Sequence, residues 1–345
     1  MTTTQHRHAT AGAHQPPAAL QATVVVAVLT VLIALVAIAF ALPAARSGPH
    51  GVPIGAAGPQ AAGGQFAQLL EQHSPGAFEV TYFPGDTALR SAIADREVYG
   101  GLVLPGQPGA APTMMIATTA SPAVAQLLTQ LGATMGQQLG TRVAVEDLAP
   151  PTGQDPRGAG LTASALPITL AGLLPAIALV LLLPGRHWTQ LAAAMSFAAV
   201  SAVTLAAVLR YVLGSIDQNF WAVTAALTLG IGAALLLLLG IGAVFGKAGL
   251  IAGALLAVLV GNPLSGLAGA PELLPSGWGE LGQLLPQGAT ATLLRSAAAF
   301  GGVGSPTSFG LVGSPTPIIV LSCWALAGIA LVAVAALRAG KSASR

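Results

Sequence analysis

"ATVVVAVLTVLIALVAIAFALPAA", residues 22–45, decides the class of this chain. It carries no charged side chain. A helix needs about 20 apolar residues to cross a hydrocarbon core about 30 Å thick, and this block exceeds that. A secretory signal has an apolar region of only about 7–15 residues behind a basic start. Here a single basic residue, Arg7, and three histidines precede the block. The stretch therefore reads as an uncleaved first transmembrane helix, 22–45, behind a cytoplasmic tail, 1–21.

The rest of the chain agrees with that class. Of 345 residues, 54% are hydrophobic and 7% charged, against about 25% charged in an average soluble domain. Further apolar blocks occupy 163–183, 188–209, 220–245, 248–260 and 317–337. The block at 248–260 is short and stops at Asn262-Pro263. Proline lacks a donor and disfavours helix at the residue before it. Apolar sequence nevertheless continues to Ala270, and non-helical backbone at membrane depth survives only inside protein or against a cavity. The reading is an α-helical polytopic membrane protein with six spans. Helices 2–5 lie in 163–262, helix 6 is 317–337, and 338–345 is a second cytoplasmic tail.

Charge sets the orientation. With the N-terminus cytoplasmic, the inner segments hold Arg7, Arg186, Lys247, Arg338, Lys341 and Arg345 and no acidic residue. All 11 acidic residues then fall outside. This is the positive-inside arrangement expected of a plasma-membrane protein. The outer connection 210–219 carries Arg210 beside Asp217, and Arg210 reads as snorkelling from a helix end.

Segment 46–162 follows a different pattern. "FEVTYF" (78–83) alternates as a strand, "PGD" gives a turn with Asp86 as N-cap, and "DTALRSAIADRE" (86–97) places Leu89, Ala92, Ile93 and Arg96 on one helical face. Asp95, Arg96 and Glu97 read as a solvated helix end. Strands follow at 98–104, 113–118 and 142–148. Helices fall at 64–74 and at 121–139, the latter with Ser121 as cap and Pro122 in its first turn. The expectation is a small extracytoplasmic α/β domain between the first two spans, large enough for its own core. "APPTGQDPRGAG" (149–160) returns the chain to the membrane.

Sites of chemistry are not evident. No two of the six histidines fall at i, i+4 on a helix, and Cys323 is the only cysteine, so no cofactor, metal site or enzymatic activity is expected. Scattered Lys and Arg with a net charge of +2 make nucleic acid an unexpected partner. "GIGAVFGKAG" (240–249) fails as a phosphate loop, because Ala248 stands where Ser or Thr should follow Lys247. Gly242 and Gly246 instead have the spacing of closely packed membrane helices. Segment 263–316 is apolar with sparse charges, Glu272, Glu280 and Arg295, and is cut by proline and glycine. Its pieces "WGELGQLL" and "ATATLLRSAAAF" are too short to span. They lie at the interface, with Trp278 at headgroup level, or dip back as an outer gate with Asn262 and Pro263.

The single N-terminal span, the large outer segment, "ALRSAIADREVYGGLVLP" (88–105) and the plan of 245–296 together resemble the ABC-2 type permease superfamily, in particular its YhgE/Pip-like branch. The resemblance covers nearly the whole chain. It implies transport of an apolar or lipid-linked substrate by a homodimer, driven by a separate cytoplasmic ATP-binding subunit. Arg186, His187 and Lys247 would be the contact loops for that subunit. The family's coupling helix would fall at "PGRHWTQ" (184–190), which is only a short connection. The alternative is therefore a non-transporting envelope or surface protein whose outer domain binds a partner.

Overall fold

The structure, a computed structural model, describes residues 17–106, 111–266, 269–300 and 316–343. The tail up to residue 16, most of the 301–316 stretch and the last two residues lie outside the described residues. The described residues are mostly helical, with five helices long and apolar enough to cross a membrane and one small sheet. This is compatible with a polytopic helical membrane protein.

The five candidate spans are α1 (Ala18–Ala45), α5 with α6 (Ala159–Ala163, Ala165–Leu182), α7 (His187–Ala207), α8 (Phe220–Leu256) and α11 (Thr316–Ala343). α7 and α8 each end in a π-helical turn, at Val208–Val212 and Ala257–Gly261. α8 is the hub. Its most apolar window is 61% buried, against 17% for Ala159–Leu182, 22% for His187–Val212 and 0% for α1. Small residues make this packing close. α7 turns Ala194, Ala198, Ala202 and Ala206 inward at i, i+4 spacing. α11 crosses α8 where Gly240 meets Gly328: a Cβ on Gly328 would stand 2.3 Å from Leu236 backbone.

α8 does not run straight. Gly246 takes φ 63°, ψ −149°, a conformation essentially confined to glycine. The arms on either side lie against one another. Gly253 faces Leu238, with a Cβ there only 2.7 Å from Leu238 Cδ1, and Gly242 meets Leu250 in the same way. In a straight helix Leu238 and Gly253 would be about 22 Å apart. The sequence reading assigned both Gly242 and Gly246 to helix packing. Gly242 does pack, against Leu250 and Val180, but Gly246 has nothing within 4 Å of a Cβ and is the turn itself.

The sheet domain has five strands: β1 (Val52–Ala57), β2 (Phe78–Phe83), β3 (Gly100–Val103), β4 (Thr113–Ile116) and β5 (Ala144–Asp147). They lie in the order β2-β1-β3-β4-β5, and all neighbours are parallel except β3 with β4. α2 (Gln60–His73), α3 (Asp86–Ala94) and α4 (Pro122–Leu139) cover the sheet. Ile54, Leu89, Ile93, Leu102, Met114 and Leu128 form its buried core. Ser121 Oγ accepts the Val124 N–H, as a cap should. Gly85, not Asp86, is the cap residue of α3. Asp86 is the first helical residue, and its Oδ1 accepts the Thr87 N–H.

β1 lies between β2 and β3 and is unannounced in the sequence. "VPIGAA" has little of the β-branched and aromatic content that marks strands. Close approach explains its composition. A Cβ on Gly101 of β3 would lie 2.3 Å from Gly55 O, and one on Gly55 would lie 2.2 Å from Leu89 Cδ1. Only glycine fits at that crossing.

α9 (Trp278–Gln283) and α10 (Pro286–Ala299) follow the second arm of α8. α10 was read as a short amphipathic helix lying at an interface or dipping back. Residues Gly288–Ala297 are all buried, and the helix packs against α8 and α11. Thr290 sits against Gly230 of α8. α10 therefore has no polar face free to rest on a surface.

Candidate functional site

The sequence-predicted residues fall into two groups at opposite ends of the helical bundle. Arg186 ends the turn after α6 and is exposed. His187 opens α7 with its Nδ1 buried and without a partner. Gln190, one turn on, donates to the carbonyls of Leu179 and Leu183 and so closes the C-terminus of α6. Lys247 follows the Gly246 turn and shares a groove with Leu181. These residues mark one end.

Asn262, Pro263, Glu272, Trp278, Glu280 and Arg295 mark the other end, where segment 262–300 meets the sheet domain. Asn262 and Pro263 follow the π-turn that ends α8's second arm, and the Thr169 hydroxyl reaches Asn262 Oδ1 at 3.4 Å. Arg295 is buried in α10 and donates to the carbonyls of Gly266 and Gly269, at 2.9 and 2.7 Å, which ties the chain after α8 back onto α10. Trp278 starts α9 and is half-buried. Glu280 is exposed and shares a cleft with Glu79, Glu97 and Glu272.

The centre of this joint is a residue that sequence reasoning left in solvent. Arg96 is 5% exposed. It follows the C-cap of α3 with φ 59°, in the left-handed region where helices usually end on glycine. That conformation costs a non-glycine residue on the order of 1–2 kcal/mol. It sends the side chain out of the sheet domain into α10. The guanidinium donates to Ser296 Oγ at 2.6 Å and to Thr292 O at 3.2 Å, and lies 5.7 Å from the Phe300 ring centroid. Arg96 was available as a signal. It is the only charged member of the face that includes Leu89, Ala92 and Ile93, and a charge on a buried face requires partners.

Tyr99, three residues on, makes a second contact. Its hydroxyl donates to Glu272 Oε2 at 2.9 Å. Two backbone bonds run alongside, Gly48 N–H to Leu273 O and His50 N–H to Glu272 O, both 2.9 Å. Ala270 belongs to the sheet domain's own core, with Leu273 and Phe300 packed on it. Burial lowers the Arg96 pKa, opposed by Tyr99 and Glu272. It raises the Tyr99 pKa. It also raises the Glu272 pKa, opposed by the residue's own backbone N–H, the Tyr99 hydroxyl and Arg96.

The joint thus sets two buried guanidiniums near one half-buried carboxylate, with neutral acceptors completing the shell. This is a fastening between two parts of the fold. Among the described residues, no three or more His, Cys, Asp or Glu side chains are grouped so as to hold a metal ion. No known protein-family model, curated protein or solved structure matches the chain.

Proposed function

We propose that this chain is a permease-like subunit of an ABC-2 type exporter. It sits in the plasma membrane with six spans, both tails cytoplasmic and the sheet domain outside. α8 counts as two of the six, turning at Gly246. The observation that carries this reading is the separation of the two polar groups: the basic turns at Arg186 and Lys247 at one end, and the Arg96–Glu272–Arg295 joint at the other. In this arrangement a separate ATP-binding subunit presses on the Arg186–Lys247 end. The response passes along α8 to α10, which lies against it, and α10 carries the outer gate at Asn262, Pro263 and Glu272 together with the sheet domain. A homodimer supplies the second half of the path. The two cavities on either side of Asn262 are lined, among the described residues, by uncharged side chains, which suits an apolar or lipid-linked substrate.

A second reading is a non-transporting envelope protein whose sheet domain binds a partner. One observation favours it. The Arg186 end offers the turn Leu183–Arg186 and the Gly246 turn, and no lateral helix between α6 and α7 for an ATPase to grip. Isolation of the chain from its native cell in mild detergent, with quantification of nucleotide-binding partners, separates the two. The permease reading expects an ATP-binding subunit whose recovery falls with Arg186→Ala while membrane insertion is unchanged. Recovery without any such subunit transfers the case to the envelope reading.

A further inference from the structure

A cavity of about 140 Å³ lies between α6, the two arms of α8, the start of α10 and Trp324 of α11. Leu173, Leu237, Leu238, Ile241 and Leu256 make most of its wall, and among the described residues no charged side chain lines it. In other proteins an apolar cavity of about 150 Å³ stays dry and takes up benzene or xenon. The space therefore has the size of one six-membered ring. Leu256 is 59% exposed, so a guest can arrive from the hydrocarbon phase, where small apolar molecules collect. Trp324 Nε1 donates to Leu284 O at 2.8 Å, which fixes that ring in the wall.

One group in the wall is at odds with the rest. Gln287 lines the cavity from the first turn of α10, and Gly261 makes room for it: a Cβ at 261 would lie 2.4 Å from Oε1 and 2.9 Å from Nε2 of its amide. Among the described residues, none donates to that amide or accepts from it. Thr169, which also lines the cavity, has its hydroxyl engaged by Ala165 O at 3.0 Å and Asn262 Oδ1 at 3.4 Å. An amide facing an apolar space without a partner is costly, and a guest carrying one hydroxyl would supply the partner. The amide has a donor end and an acceptor end, and a hydroxyl serves as either, so it pairs with whichever atom is turned inward. A carboxylate or an ammonium group would enter without a counter-charge.

We propose that this cavity binds one neutral alcohol of benzene size, with phenol as the type, its ring among Leu237, Leu238 and Leu256 and its hydroxyl on the Gln287 amide. Such binding requires no transport by the chain. The test titrates the full chain in lipid nanodiscs with fluorobenzene and with 4-fluorophenol and follows the fluorine resonance, with empty nanodiscs measuring simple partitioning. Both probes should show a saturable site, one per chain, with 4-fluorophenol several-fold tighter. Gln287→Leu should remove that preference and leave fluorobenzene bound. Ala257→Leu, which puts a larger side chain into the space, should abolish saturable binding of both. If that variant fails to insert, the wild-type chain still decides the matter, because the two-ring 4-fluorobiphenyl should show partitioning alone. Absence of a saturable signal from the small probes, its survival in Ala257→Leu, or biphenyl binding as tight as that of fluorobenzene would overturn the cavity as a site. Equal affinity of the two small probes, or a phenol preference that persists in Gln287→Leu, would overturn the role of the amide.

Discussion

The guanidinium of Arg96 lies 2.6 Å from the hydroxyl of Ser296, joining residues 200 positions apart in the chain. One comes from the end of a sheet-domain helix and the other from a helix packed into the bundle. Removing the side chain takes the guanidinium donor away from Ser296 Oγ, while Thr292 O keeps the Ser296 hydroxyl, at a cost of about 1–3 kcal/mol. Arg96→Ala should lower the melting temperature of the detergent-solubilised chain. Arg96→Gly should melt higher than Arg96→Ala, since glycine restores about 1 kcal/mol at a left-handed position. An alanine variant as stable as the glycine variant would show that the backbone at 96 is not held at φ 59°.

Glu272 gives the joint a pH dependence. Burial raises its folded-state pKa above the unfolded value, so the folded state binds the proton more readily. Stability from this group is lost as pH rises from the ordinary glutamate range through the raised pKa, and is recovered on acidification. As pH falls through that window, the wild-type chain should gain melting temperature relative to Glu272→Gln. Tyr99→Phe removes a hydrogen bond that favours the carboxylate, and should move the window to higher pH. A profile identical in wild type and Glu272→Gln would contradict the assignment.

Orientation is open to a direct check. With Cys323 replaced by serine, single cysteines at Ser91 and Ser276, both exposed, should react with an impermeant thiol reagent on intact cells. A cysteine at Ala248, beside the Gly246 turn, should react only after permeabilisation. Labelling at Ala248 from outside would invert the proposed topology.

Gly246 separates backbone strain from packing. No atom lies within 4 Å of a Cβ at this position, so Gly246→Ala meets no clash. The substitution should nevertheless destabilise the chain by about 1–3 kcal/mol, because φ 63°, ψ −149° is closed to alanine. Retention of the wild-type melting temperature would mean that α8 does not turn there.

The five candidate spans were legible because a membrane-crossing helix leaves a coarse signal, length and the lack of charge. β2 and the helices α3 and α4 were legible because alternation and 3.6-residue periodicity survive in "FEVTYF", "DTALRSAIA" and "PAVAQLLTQL". β1 was not, because its place between β2 and β3, with α3 packed on it, selects small residues over β-formers, as Gly55 against Leu89 shows. The break after α8's second arm could be read from Asn262-Pro263, while the burial of α10 could not. A sequence of alanine, threonine and serine carries little amphipathic contrast, and nothing local states that Gly230 has left space for Thr290. Arg96 was misread for a related reason. Its neighbours Asp95 and Glu97 suggest solvent, against the signal of its place on the Leu89, Ala92 and Ile93 face, and its partner lies 200 residues away.

The sheet domain is fastened to the helices at three separate places. The Gly48–Leu273 bond holds its entry, Arg96 holds its middle, and at its exit Thr152 bonds the carbonyl of Gly214 while Asp155 accepts the N–H groups of Ala159 and Gly160. Three fastenings spread from entry to exit restrain the domain more than one would. A domain hung from a single tether would tumble and report nothing. This one is geared to the bundle, so a displacement of α10 or of the 214 loop reappears at β2 and β5, the two rims of the sheet, as a tilt.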